Sequence, residues 1–393
     1  MSDAGAAGFR RVLGADGFAA FATSSLLGRL IGGMAPLAIV LYVHHAVGSF
    51  GAAGAATAAF ALGLGLTGPV LARLVDTRGR GLLVPMATAC ALALTALVAL
   101  GNAGAAPWLL VLAAALAGAA SPPLNGVTRH RLPELVGRAD VSTAYAVDSI
   151  LLELIFISGP LLAGGLAATV GPGEGLVLAG VIALLGASWF ALELPPHRLD
   201  PDLGPRSRLG ALGSPAIRML TVGGLPIGVT LGALEVALPA FGLTHGSAAL
   251  GGLFAAALSV GSGLGGVAYG ARPRALGPPR RSLIRLTALQ AVLVLPLLIG
   301  PPVPAMLVLA AIAGLWLAPL LSVRSELVRE QLPAGTGAEA FTWTTLTVAV
   351  GAGIGSALAG PLVEAGGWRS GVALACLGPA AGFLFTLARR HVL

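Results

Sequence analysis

The chain has 393 residues, of which 56% are hydrophobic and only 10% charged, and its mean hydropathy is +0.91. Soluble domains carry about 25% charged residues, so this composition excludes a water-soluble globular protein. All 23 basic residues are arginine, giving a net charge of +7, and they are spread over short separate segments rather than one patch, which argues against a nucleic-acid partner.

The first sixteen residues carry Arg10 and Arg11 and no small-residue cleavage site, so no removable leader is expected. Apolar runs then recur at 17–42, 49–72, 82–102, 107–128, 141–168, 175–195, 216–242, 248–270, 282–300, 304–324, 338–363 and 370–389. Each approaches the ~20 residues that cross a bilayer. The runs lack the alternation of barrel strands, and only a helix satisfies its own backbone in lipid, so an all-α integral membrane protein of twelve spans is expected. Of the 23 arginines, Arg369 falls in an outer loop and Arg29 inside span 1; the others lie on one side. The positive-inside rule then places both termini in the cytoplasm, and the all-arginine composition suggests the inner membrane of a bacterium.

In span 1, "SSLLGRLIGGMAPLAIV" sets Arg29 about halfway across, on a stripe with Gly33, Pro36 and Val40. An unpartnered guanidinium at that depth costs ~2.5–3.5 kcal/mol or more. Span 5, "AVDSILLELIFISGPLLAGG", carries Asp148 and Glu153. Glu153, Ile157, Pro160 and Gly164 share a face at i, i+4, i+7 and i+11, and the small residues of that face suit a close helix seam. Depth makes Glu153 the expected partner of Arg29. Asp148 lies about 140° around the helix, where it either caps the entrance or reaches a cytoplasmic arginine.

The segment 196–215 is the longest polar, Pro- and Gly-rich connection, with six spans on each side. It divides the chain into bundles at 1–195 and 216–393. The halves resemble each other: an arginine-rich loop leads into a helix bearing Gly159-Pro160 in the first and Gly360-Pro361 in the second. A six-span unit used twice in parallel is a transporter architecture. In span 7, "IGVTLGALEVALPAFG" places Glu235 where no span of its half supplies a basic residue, and burial without a counter-charge favours a carboxyl that holds a proton. Met34, Gln290, Trp316, Thr342, Trp343 and Thr345 are candidate cavity-lining residues, although each also suits ordinary helix packing.

Spans 2 and 3 are joined by "GLTGPVLARLVDTRGRG", residues 65–81. This loop resembles the cytoplasmic signature of the major facilitator superfamily, with Gly68, Asp76, Arg78, Gly79 and Arg80 in matching places and Arg73 at a commonly small or apolar position. Together with twelve spans and duplicated halves, the resemblance covers nearly the whole chain. It implies two pseudo-symmetric six-helix bundles, a midplane cavity lined by spans 1, 4, 7 and 10, seams formed by spans 2, 5, 8 and 11, and a gating role for the Asp76 loop. Gly159-Pro160 with Gly164 resembles the span-5 motif of drug and metabolite exporters, the glycine pair falling one position late. The arginine those exporters often carry within span 4 is missing from "VLAAALAGAASPPLNG".

No His/Cys/Asp cluster has metal-ligand spacing, and a phosphate-cradling Gly-Lys-Ser/Thr loop is impossible without lysine. Cys90 and Cys376 fall inside spans, as packing residues do. Neither an enzyme nor a cofactor is expected. The reading is a monomeric secondary transporter whose partners are a small-molecule substrate, protons and the bilayer. Proton-linked export of an apolar or amphipathic compound is favoured, through Glu235, Glu153 and Asp148. The alternative is uptake of a polar or anionic metabolite with Arg29 as the anion-binding residue, and a non-transporting scaffold or sensor is the third reading.

Overall fold

The structure, a computed structural model, describes residues 10–136, 140–194, 210–271, 276–331, 337–390 and 392. Among them there is no strand, and twelve helical spans are long and apolar enough to cross a membrane. Spans 1 to 6 are Phe18–Val47, Phe50–Val75, Arg80–Asn102, Pro107–Arg129, Thr143–Thr169 and Glu174–Glu193. Spans 7 to 12 are Pro215–Thr244, Ala249–Gly270, Pro279–Ile299, Val303–Glu330, Trp343–Gly366 and Trp368–Ala388. The expected ends are close, except that span 10 runs six residues past the expected 324 and draws Arg324 into a helix.

Spans 1, 4, 7 and 10 are each divided into two helices. Span 1 is Phe18–Arg29 followed by Ile31–Val47, and span 7 is Pro215–Val222 followed by Gly224–Thr244. Span 4 is Pro107–Ala120 and Leu124–Leu135, parted where Pro122 and Pro123 remove two backbone donors. Span 10 is Val303–Gly314 and Leu317–Glu330. By contrast the helices Phe50–Arg78, Val141–Thr169, Ala249–Ala271 and Gly337–Gly366 of spans 2, 5, 8 and 11 are continuous. The same sequence of broken and straight spans occurs in both halves, as a parallel duplication requires.

The cores show how the halves sit together. Near the arginine-rich end, one apolar cluster, with Phe18, Phe21, Leu83, Val127 and Phe190, uses the first half alone. A second, with Leu220, Leu283, Trp316, Leu320 and Val328, uses the second half alone. At the opposite end a single large cluster joins the two, taking in Met34, Ile39, Phe60, Leu94, Val236, Phe241, Phe254 and Val363. The halves are therefore packed into one body at the end remote from the arginines and keep separate cores at the other.

Two seams connect them, span 2 against span 11 and span 5 against span 8. Both rely on missing side chains. A Cβ on Gly54 would lie 2.3 Å from the Ser356 carbonyl oxygen, and one on Gly252 would lie 2.3 Å from that of Pro160. Within the second half, a Cβ on Gly232 of span 7 would meet the Ala352 carbonyl of span 11 at 1.9 Å. Such crossings are how helices gain contact in lipid, where no hydrophobic force drives them together.

Gly232→Leu should therefore force spans 7 and 11 apart, an overpacking of about 1–3 kcal/mol or more. The expected outcome is a lower melting temperature and a broadened elution profile in detergent. Thr95→Leu, at an exposed position of span 3, should stay within about 0.5 kcal/mol of the parent.

Candidate functional site

The break in span 1 sets Arg29 at the end of its first helix, 5% exposed. Its Nε donates to the Ser25 carbonyl at 3.2 Å, and its Nη1 donates to Asp148 Oδ1 at 2.7 Å. Asp148, 2% exposed, accepts a second bond on Oδ2 from Arg129 Nε at 3.1 Å. Thr128, beside Arg129, shares a 2.6 Å hydroxyl bond with Ser25. One carboxylate thus ties spans 1, 4 and 5 together between two guanidiniums, one buried and one half in solvent. A cation at a helix C-terminus is also favoured by the helix dipole. Arg29 Nη2 has no hydrogen-bond partner among the described residues.

The expected Arg29–Glu153 pair is not formed; Asp148 takes the arginine. The cause is which face of span 5 meets which neighbour. Ile155 and Gly159 each lie within about 20° of Asp148 around the helix, and this face packs on span 1. A Cβ on Gly33 would meet the Ile155 carbonyl oxygen at 2.3 Å, and one on Gly159 would meet Gly33 at 2.5 Å. Glu153 instead shares the face of Pro160 and Gly164, which packs on span 8 at Gly252. There it faces across the seam, with Ser262 Oγ 3.5 Å from its Oε1. Glu153 forms no ion pair among the described residues.

The second half holds a buried guanidinium at the last position of the apolar run expected at 304–324. Arg324, 6% exposed, comes from span 10 and donates through Nη2 to the Leu220 carbonyl at 2.6 Å, in the last turn of the first helix of span 7. Each half therefore ends its broken first helix on an arginine, Arg29 from span 1 itself and Arg324 from span 10. The signal was available in the repeat: "VTRHRL" and "SVRSEL" put Arg129 and Arg324 at the same place in duplicated spans.

Glu235 is half-buried in span 7, flanked by the buried Leu234 and Val236. The Ser356 hydroxyl, which donates to the Gly232 carbonyl at 3.1 Å, sits beside its carboxylate. No ion pair reaches Glu235 among the described residues. Of the expected cavity-lining residues, Met34 and Trp316 are packed inside apolar cores at 0% and 1% exposure. Gln290, 1% exposed, donates to Thr230 Oγ1 at 3.2 Å and braces span 9 against span 7. All three are therefore taken up by helix packing, Met34 in the core shared by the halves and Trp316 and Gln290 within the second half. Trp343 and Thr345 are exposed on span 11, and the Thr342 side chain lies outside the described residues.

In the 65–81 loop the Asp76 side chain also lies outside the described residues. Gly79 ends the helix Phe50–Arg78 at φ 92°, a conformation that needs glycine, and Arg80 Nη1 then donates to the Leu192 carbonyl at the end of span 6 at 3.2 Å. Arg78 and Arg73 are exposed, and a Cβ on Gly68 would meet open space. On the same end, Arg11 binds Asp140 through two bonds of 3.1 and 2.7 Å. That hydrogen-bonded guanidinium holds the Asp140 carboxyl below its ordinary range.

At the opposite end a carboxylate crosses between the halves. Glu364 Oε2, at the end of span 11, accepts from Ser49 Oγ at 2.7 Å and from the Gly51 amide at 2.9 Å. Ser49 caps the helix of span 2 by accepting from the Ala52 amide at 3.1 Å. Gly360, one turn before Glu364, packs on this helix start as well: a Cβ there would lie 2.4 Å from the Phe50 carbonyl, and Pro361 lies beside Gly51.

A sequence profile of the Major Facilitator Superfamily matches residues 18–276, well over half of the chain. The chain belongs to the major facilitator superfamily. It is accordingly a multi-pass membrane transporter for a small-molecule substrate. No curated protein matches its sequence. Among solved structures it is similar to a mutant form of the nucleoside transporter NupG at 14% identity and a TM-score of 0.74, covering 94% of this chain and 98% of that one. A bacterial homologue of the iron transporter ferroportin, in an inward-facing state, matches at 18% identity and 0.70 over 94% and 98%. An auto-inhibited POT family peptide transporter matches at 11% identity and 0.69 over 94% and 95%. At these identities the likeness is one of fold.

The arginine pairing gives a direct expectation for this superfamily member. Asp148→Asn strands Arg29 in a buried site and should cost about 3–5 kcal/mol. Adding Arg29→Met should restore most of the loss, while Glu153→Gln should stay within about 1 kcal/mol of the parent. Thermal unfolding in detergent checks all three, and an equal loss for Glu153→Gln would contradict the assignment.

Proposed function

We propose that the protein is a proton-coupled carrier that exports an apolar or amphipathic small molecule by alternating access between its two bundles, residues 1–195 and 216–393. The observation that carries this reading is the arrangement of the cores: merged at the end remote from the arginines, separate at the arginine-rich end. Two bundles arranged in this way would part most readily at the arginine-rich end, opening a path to the middle of the membrane from that side. By the positive-inside rule that side is the cytoplasm, where both termini would lie, and a bacterial inner membrane would be the setting.

Glu235 and Glu153 are the proposed proton carriers. Both are half-buried carboxylates at membrane depth without an ion pair among the described residues: Glu153 of span 5 faces span 8 across the seam between the halves, and Glu235 of span 7 lies beside Ser356 of span 11 within the second half. A carboxylate there exchanges its proton with whichever aqueous side the cavity faces. Asp148 is a weaker carrier, because both of its oxygens are already engaged by guanidiniums. The same pairing engages Arg29 Nη1 with Asp148, which favours this reading over anion uptake at Arg29. With Arg29 neutralised, an apolar or amphipathic substrate is the better match for the bundle interior. The signature loop with Asp76 is the proposed gate at the cytoplasmic end.

Glu235→Gln fixes the uncharged form. In proteoliposomes with an imposed pH gradient, the variant should lose concentrative transport yet keep exchange of substrate down its own gradient. Retained pH-driven accumulation would move the coupling proton to Glu153, whose Gln variant is the companion experiment.

A further inference from the structure

On the flank of the first half, remote from both seams, a cavity of about 450 Å³ lies between spans 1, 3 and 6 at the end opposite the arginines. Spans 3 and 6 make their main contacts inside the first half, so this cavity is separate from the path between the bundles. Its inner wall is Tyr42, 2% exposed, whose hydroxyl donates to the Val98 carbonyl at 2.5 Å and meets Asn102 Oδ1 at 3.0 Å. The amide N–H groups of Asn102 carry no hydrogen bond among the described residues. The turn before span 6 closes tightly over the same ring, since a Cβ on Gly173 would touch both Val98 and Tyr42 within 3.4 Å.

The polar groups are gathered at one level. Glu174 opens the helix Glu174–Glu193, His45 lies in the last turn of span 1 and Asn102 ends the helix of span 3. Val177 and Val181 continue the wall one and two turns further along span 6, about 10 Å into the membrane. Val181 is 44% exposed, so the trough is open sideways toward the hydrocarbon. Glu174 forms no ion pair among the described residues. One carboxylate, one imidazole and one free amide at the depth of the lipid headgroups, above an apolar trough, complement a zwitterion that carries a chain.

We propose that this cavity is a binding site for a phospholipid with a primary ammonium headgroup. The ammonium would donate to the Glu174 carboxylate, the phosphate would accept from His45 and Asn102, and the first carbons of one acyl chain would lie along Val177 and Val181. A primary amine suits the site better than a trimethylated one, because only N–H groups can bond the carboxylate.

The test uses the purified full-length protein in detergent, with native mass spectrometry reading bound lipid after titration with phosphatidylethanolamine, phosphatidylcholine or phosphatidylglycerol. Phosphatidylethanolamine should be retained in preference. Glu174→Gln should weaken it about tenfold, the scale of one charge-assisted hydrogen bond. Val181→Trp, which fills the trough from an exposed position, should weaken all three lipids. Equal retention of the three lipids by the parent protein, or phosphatidylethanolamine binding unchanged in both variants, would overturn the proposal. So would occupancy by dodecylamine with no retention of phosphatidylethanolamine, which would mark a site for soluble amphiphilic amines.

Discussion

Spans 2 and 11 cross in close contact at Gly54 and Gly360, and most of the architecture depends on that approach. Gly54 stands against the Ser356 carbonyl and Gly360 against that of Phe50, so the two halves meet backbone to backbone. At the end of this crossing Glu364 bonds Ser49 and the Gly51 amide. A helix N-terminus presents unpaired N–H groups and the positive end of its dipole, so a carboxylate from the opposite half is well placed there. Water can take over each of these bonds when the halves part. The contact is therefore specific in geometry and reversible in energy. The shared core lies on this side because only here do the halves come close enough to exclude lipid and water together.

The second constraint is electrostatic. Breaking spans 1 and 7 leaves helix ends inside the membrane, and the protein ends both on guanidiniums, Arg29 at Ser25 and Arg324 at Leu220. A buried charge of this kind is tolerated when hydrogen bonds and a counter-charge surround it. The first half supplies Asp148 for the purpose, bridging to the half-exposed Arg129. Broken spans and arginine clamps thus occur together in each half, tying spans 1, 4 and 5 in the first and spans 7 and 10 in the second.

The fold was readable because it rests on features written many residues long: apolar runs, arginines on one side, and a repeated order of loop and Gly-Pro helix. The site was readable in part, and Arg29 and Glu153 show where the limit falls. Their pairing was expected from depth alone, yet the face of a helix decides contacts in a bundle. Gly33 and Gly159 mark the crossing of spans 1 and 5, and the stripe through Gly159 leads to Asp148 rather than Glu153. Arg324 was missed because a charged residue at the end of an apolar run reads as loop, while here the helix runs on to Glu330. Met34, Trp316 and Gln290 could not be placed, since composition does not say which side of a wholly apolar helix faces its own bundle.

The central claim is that the contact of Glu364 with span 2 holds one end of the molecule closed while the other stays open. Paired spin labels on a background lacking Cys90 and Cys376 measure this directly, with one pair at Ala103 and Ala365 and the other at Glu134 and Glu330. Replacing Glu364 by Gln should lengthen the Ala103–Ala365 distances and shorten the Glu134–Glu330 distances together, as one population shift. Unchanged distributions at both pairs, or both pairs moving in the same direction, would contradict the account.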